Sequence, residues 1–157
     1  MLRKKQIGII GGRQASSFSL ELAYKIGSYL AENGFIVICG GKGGIMEYAC
    51  KGVFEKGGIS VGILPDSDID FANEYVTIPI ATGIGVARNS IIAMTNDIIV
   101  AFEGSFGTLS EIAYALQFNK KIIAYYSWKE HQISDKIDYF NDFDSFVNIF
   151  TKLAGEL

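Results

Sequence analysis

The chain has 157 residues, 18 of them glycine and 2 proline, with 49% hydrophobic residues, 20% charged residues and a formal net charge of -3. Domains run to roughly 100–200 residues, so this length argues for one, and so apolar a chain with so little charge is not disordered. The acidic balance gives no field for nucleic acid, and glycine without a three-residue period excludes a collagen-like chain.

The predicted elements alternate. Gln6 to Ile10 reads as a first strand, breaking at Gly11-Gly12, and apolar residues at helical spacing (Leu22, Ile26, Tyr29, Leu30) mark a helix from Phe18 to Glu32. Asn33-Gly34 ends that helix, and Phe35 to Cys39 forms a continuous apolar run of strand length. After the turn Gly40-Gly41-Lys42-Gly43-Gly44 comes a helix from Ile45 to Glu55, then a third strand from Ile59 to Leu64, closed by Pro65. A polar loop leads to a strand over Tyr75 to Ile80, and Gly83 to Gly85 opens a helix ending at Met94. Residues 84–94 are apolar around most of the circumference, which predicts burial in the monomer or in a subunit interface. Asp97 to Phe102 is the fifth strand, Glu103 to Thr108 a turn, and a helix follows to Phe118. Lys121 to Tyr126 is the last predicted strand; the pattern blurs from Trp128 to Tyr139, and a terminal helix runs from Phe143 to Leu153, capped by Asp142 or Asp144.

Unbroken apolar strands separated by helices predict an α/β fold: a Rossmann-like, doubly wound parallel sheet with helices on both faces. Residues 1–157 form one such domain, with strand order 4-3-2-1-5-6. Two cysteines, Cys39 and Cys50, read as reduced, buried thiols, and the single histidine, His131, supports neither a metal site nor a Ser-His-Asp triad. No apolar run approaches the roughly 18 residues of a membrane span. The expectation is a soluble, cytoplasmic protein without a nucleic-acid or membrane partner.

More than half of the glycines fall in four turns at the carboxyl ends of strands: Gly11-Gly12, Gly40 to Gly44, Gly83 to Gly85, and Gly104 to Gly107. In doubly wound sheets ligands bind at that edge, where helix N-termini offer free N–H groups and glycine lets an anion approach the backbone. A single such turn needs no ligand to explain it; four on one edge point to a phosphate-bearing ligand. The dinucleotide fingerprint is absent, since the first turn reads Gly8-Ile9-Ile10-Gly11-Gly12-Arg13 and no acid ends the second strand. A P-loop is absent as well. Lys42 is either an anion contact or a solvated loop lysine.

Gly40-Gly41-Lys42-Gly43-Gly44-Ile45-Met46, followed by Gly58 and Gly62-Ile63-Leu64-Pro65, resembles the G-G-x-x-G-x-M…G-I-x-P pattern of the LONELY GUY superfamily, whose members are often labelled lysine decarboxylase-like. Glu103-Gly104-Ser105-Phe106-Gly107-Thr108-Leu109-Ser110-Glu111 is similar to its P-G-G-x-G-T-x-x-E signature, and Arg88 falls at its R-K pair. The resemblance runs from the first strand through Tyr126. It implies a homo-oligomer and, in the hydrolase branch, cleavage of the N-glycosidic bond of nucleoside 5′-monophosphates by Arg88 and Glu111. Backbone N–H groups from Gly104, Ser105, Phe106 and Gly107 to Thr108, with the Thr108 hydroxyl, would then hold the phosphate.

The departures are Glu103-Gly104-Ser105 for P-G-G, Arg88-Asn89 for R-K, and Glu47 after Met46. They look like a sister branch containing molybdenum-cofactor carrier proteins. The leading expectation is therefore a binding or carrier protein for a nucleotide or molybdopterin-type ligand, needing no other cofactor, with the hydrolase second. A nicotinamide-dependent oxidoreductase is disfavoured by the missing fingerprint. Expected ligand contacts are Gly11, Gly12, Arg13, Gly40, Gly41, Lys42, Gly43, Gly44, Glu47, Asn89 and the Gly104–Thr108 turn, around a crevice between the first and fifth strands. Tyr125, Tyr126 and Trp128 stand where they would wall a base, though aromatics at strand ends are common. Phe143, Phe146 and Phe150 read as a core- or subunit-facing stripe.

Overall fold

The apolar runs form the centre of one parallel sheet, and the side-chain alternation along each strand divides the core into two layers. The computed structural model describes residues 2–157. Its strands are β1 (Gln6–Ile10), β2 (Ile36–Cys39), β3 (Ile59–Leu64), β4 (Ile78–Ala81), β5 (Ile98–Ala101), β6 (Lys121–Ala124) and β7 (Ile137–Tyr139). Its helices are α1 (Ser17–Glu32), α2 (Ile45–Glu55), α3 (Arg88–Thr95), α4 (Phe106–Gln117) and α5 (Phe143–Ala154). The sheet order is β4-β3-β2-β1-β5-β6-β7, and every neighbouring pair is parallel.

Ile7, Ile9, Ile98, Val100 and Ile123 point to one face, where α1, α2 and α5 cover them. Ile10, Ile99, Ala101, Ile122 and Ala124 point to the other, beneath α3 and α4. Two glycines outside the turns serve this packing. A Cβ on Gly27 would stand 2.2 Å from the Ala49 carbonyl oxygen, and one on Gly52 would stand 2.2 Å from that of Tyr24, so α1 and α2 touch backbone to backbone. Phe140, Phe146 and Phe150 are fully buried, and Tyr29 meets Phe143, Phe146 and Phe150 edge-on. The aromatic stripe of α5 therefore belongs to the core of this chain. Asp142 caps α5 in a reciprocal box with Ser145.

Three sequence expectations need correction. A seventh strand, β7, extends the order beyond β6, pairing Ile122 with Ile137 and Ala124 with Tyr139. It has three residues with an exposed Asp138 in the middle, too short to show an apolar run. The fourth strand begins at Ile78 rather than Tyr75 and contains Pro79, which a sheet tolerates on an edge strand. The segment predicted as one helix from Ile84, buried in the monomer or in a subunit interface, is a 3-10 turn (Gly85–Ala87) leading into α3, and within the monomer Ile84, Val86 and Met94 are exposed while Ile92 and Ala93 are buried.

Cys39 and Cys50 are both free and buried, with their sulfurs 3.4 Å apart. Among the described residues no helix is long and apolar enough to cross a membrane.

Candidate functional site

β1 pairs with β2 on one side and β5 on the other, so the chain winds away from β1 in both directions and leaves a crevice above the strand ends. A cleft of about 670 Å³ lies there. Its lining comes from four places: Gly11, Gly12, Arg13 and Gln14 after β1; Met46 at the start of α2; Gly104, Ser105, Gly107, Thr108 and Glu111 at the start of α4; and Pro65, Val86, Arg88 and Asn89 on the side of β3 and α3.

The floor is set by the two turns. Gly12 donates its N–H to the Glu103 carbonyl at 2.9 Å and accepts from the Ile45 N–H at 3.1 Å, which locks the β1 turn to both the β5 turn and α2. Gly104 must lack a side chain, because a Cβ there would stand 2.1 Å from the Thr108 hydroxyl oxygen. Thr108 is buried beneath the turn as a result.

The N-termini of α1 and α4 both abut this edge, but they differ. The α1 terminus is partly occupied: the Ser16 side chain accepts from the Ser19 N–H, and the Glu103 carboxylate accepts from the Ser19 hydroxyl at 2.6 Å and the Ser16 N–H at 3.4 Å, while the Ser17 and Phe18 N–H groups have no partner among the described residues. The α4 terminus is open. Its cap residue Ser105 makes no side-chain cap bond, and the N–H groups of Phe106, Gly107 and Thr108 have no partner among the described residues. The four orphan amides of a helix start and its positive pole favour an anion there. Glu103, the residue that replaces a proline of the resembled pattern, thus faces α1 rather than the cleft.

Two charged side chains are buried in the wall. Arg88 opens α3 and is 8% exposed; its Nη1 donates to the Gly40 carbonyl at 2.7 Å and to the Ile63 carbonyl. Burial draws its pKa down, with Glu111 and Cys39 opposing. A Cβ on Gly40 would stand 2.3 Å from that Nη1, so this glycine makes room for the guanidinium. Glu111, one turn into α4, is also 8% exposed, and burial pushes its carboxyl up to about 8 against the pull of Arg88. No hydrogen bond reaches the carboxyl group among the described residues. Burial thus favours the protonated acid over the carboxylate at neutral pH. Asn89 donates to the Ser110 hydroxyl at 3.0 Å and holds the first turn of α4 against α3. Arg13 is exposed and pairs with no carboxylate among the described residues.

The remaining expected contacts lie elsewhere. Lys42 turns away from the cleft to Asp66 at 2.8 Å and the Phe71 carbonyl at 3.1 Å, with its ammonium over the Phe71 ring. Gly41, Gly43 and Gly44 build the turn behind the cleft without lining it, and Glu47 stands beside Gly43. Gly44, at φ +71°, backs onto the carbonyls of Gly12 and Arg13. Phe106 is 79% exposed and projects beyond the cleft. Gln14, Met46, Pro65 and Val86 line it without having been singled out as contacts; Met46 and Pro65 stand inside the quoted motifs, and their apolar character gave the only other signal. Among the described residues no group of three or more His, Cys, Asp or Glu is placed to hold a metal ion.

Comparison with known proteins agrees with this architecture. A protein of Archaeoglobus fulgidus described as uncharacterized is 41% identical over 121 residues, covering 77% of this chain and 80% of that one. The molybdenum cofactor binding protein of the phototrophic bacterium Rippkaea orientalis superposes with a TM-score of 0.91 at 30% identity, over 98% of this chain and 99% of that one. The molybdenum cofactor carrier protein of Chlamydomonas reinhardtii does so with a TM-score of 0.86 at 31% identity, over 97% and 99%. The family model of the SLOG cluster4 family matches residues 4–145, and with that share of its length matched the chain belongs to this LOG-like family.

Proposed function

We propose that the chain is a binding or carrier protein for a phosphorylated, nucleotide-like small molecule, either a nucleoside monophosphate or a molybdopterin-type cofactor, held as cargo with its phosphate on the start of α4. The carrying observation is the contrast between the two helix N-termini. Glu103 supplies the α1 terminus with an internal carboxylate, whereas the amides of Phe106, Gly107 and Thr108 face a cleft with nothing bonded to them. The charges agree: Arg13 is free at the rim, and Glu111 is held neutral. The names of the Rippkaea and Chlamydomonas proteins support the same reading. Arg88 braces the wall through its Nη1, which donates to two carbonyls, while its buried Nε has no partner among the described residues.

One observation favours the second reading, a nucleoside 5′-monophosphate phosphoribohydrolase. A buried carboxylic acid kept protonated at neutral pH is suited to donate a proton to a departing base. Incubation with purine nucleoside monophosphates separates the two. The carrier reading predicts thermal stabilisation, about 2.7 kcal/mol at a hundredfold excess over Kd, with no free base by chromatography. Base release that vanishes in Glu111→Ala contradicts it in favour of hydrolysis. No stabilisation by any phosphate compound contradicts both.

The exposed apolar side chains Met94 on α3, Tyr114 on α4 and Phe118 just past its end, the latter two stacked at 6.1 Å, support assembly into a homo-oligomer, and a cytoplasmic location fits a carrier of such cargo.

A further inference from the structure

A second cavity, of about 360 Å³, adjoins the cleft and shares Gly104 with it. It is lined otherwise by Tyr126, Trp128, Lys129, Glu130 and His131, from the loop between β6 and β7. Phe106, the first residue of α4, extends its aromatic wall: its ring lies 6.0 Å from that of Trp128 at 34°. Phe106 and Tyr126 are 79% and 57% exposed, an unusual placement for aromatics beside an anion site.

Two further observations mark this loop. Of the four non-glycine residues with positive φ among those described, Tyr126, Trp128 and Gln132 lie within it. Non-glycine residues in that region cost free energy, and such strain gathers at ligand sites. The loop also contains two buried polar atoms without partners, the Ser127 hydroxyl and the Trp128 indole nitrogen. Buried polar groups are nearly always paired, so two orphans in adjacent residues need a reason.

We infer that this cavity is the ring subsite of the proposed ligand: a planar nitrogen heterocycle, of the purine or pterin class, lies against Phe106, Tyr126 and Trp128 while its phosphate rests on the first turn of α4. The inference depends on the phosphate reading given above. Geometry supplies the link, since Phe106 offers its N–H to the phosphate site and its ring to the aromatic wall. Aromatic faces accept any flat heterocycle, and Lys129, Glu130 and His131 form a polar rim for its edge. The volume suits one ring system and stands at the low end of small-molecule pockets, roughly 300–1,000 Å³.

Trp128 is the only tryptophan in the chain, so its emission reports on this cavity alone. The test titrates guanosine 5′-monophosphate and ribose 5-phosphate into the parent protein and into Phe106→Ala and Tyr126→Ala, following Trp128 fluorescence and calorimetry. Both substituted side chains are mainly exposed, so the variants retain the fold. The nucleotide is expected to quench Trp128 saturably and to bind on the order of tenfold tighter than the sugar phosphate, a preference that each substitution reduces, with sugar-phosphate binding unchanged in Tyr126→Ala. Nucleotide binding that leaves Trp128 emission and both variants' preferences unaltered overturns the ring subsite but keeps the phosphate site. Failure of both compounds to bind overturns the phosphate reading itself.

Discussion

Glu111 concentrates the chemistry of the cleft in one side chain. Its carboxyl is buried and titrates near 8, against an ordinary value of 4.5. Below about 4.5 the folded and unfolded chains both hold its proton, and above about 8 both release it. Between those limits the native state holds the extra proton, so stability falls as pH rises through the window, by up to about 1.4 kcal/mol per unit from this group. Glu111→Gln removes the ionisable group and keeps the shape. Urea unfolding from pH 5 to 8.5 is expected to show a declining stability in the parent and a flatter profile in the variant, which becomes the more stable of the two at the alkaline end. Equal slopes would contradict the assignment of a neutral acid to this position. Phosphate affinity is expected to weaken over the same range, because an ionised Glu111 faces the anion.

At the scale of elements, Arg88 joins three of them. It begins α3, bonds the Gly40 carbonyl just past β2, and bonds the Ile63 carbonyl in β3. A cation at a helix N-terminus opposes the helix dipole, so its position is explained by those carbonyls rather than by α3. Arg88→Leu leaves two buried acceptors unpaired and is expected to cost about 3 kcal/mol by denaturant unfolding. A loss of ligand affinity at unchanged stability would show instead that Arg88 grips the phosphate. This dual possibility illustrates what the sequence could carry. The R-K-like position, the glycine turns and the alternation of strands and helices were legible, since local pattern and period encode them. The direction of each side chain was not. Lys42 reads as an anion contact until Asp66, 24 residues away, is seen to hold it, and Glu103 reads only as a departure from the resembled pattern until Ser16 and Ser19 are seen to donate to its carboxylate. β7 escaped notice because three residues around Asp138 carry no period.

The whole molecule places its two most permissive features side by side. The sheet's winding reverses at β1, opening a crevice, and at that crevice one helix terminus carries a side-chain cap beside the chain's own carboxylate while the other has neither. On the proposed reading a phosphate rests on the α4 terminus, and the remainder of the ligand runs either across the cleft or into the aromatic cavity beyond Gly104. Nuclear magnetic resonance of ¹⁵N-labelled protein titrated with ribose 5-phosphate reads this directly, because each amide reports for itself. The predicted result is saturable shifts centred on the N–H signals of Phe106, Gly107 and Thr108, with those of Ser17, Phe18 and Ser19 at the start of α1 little moved. Shifts centred on α1, or none on α4 at saturating ligand, would contradict it.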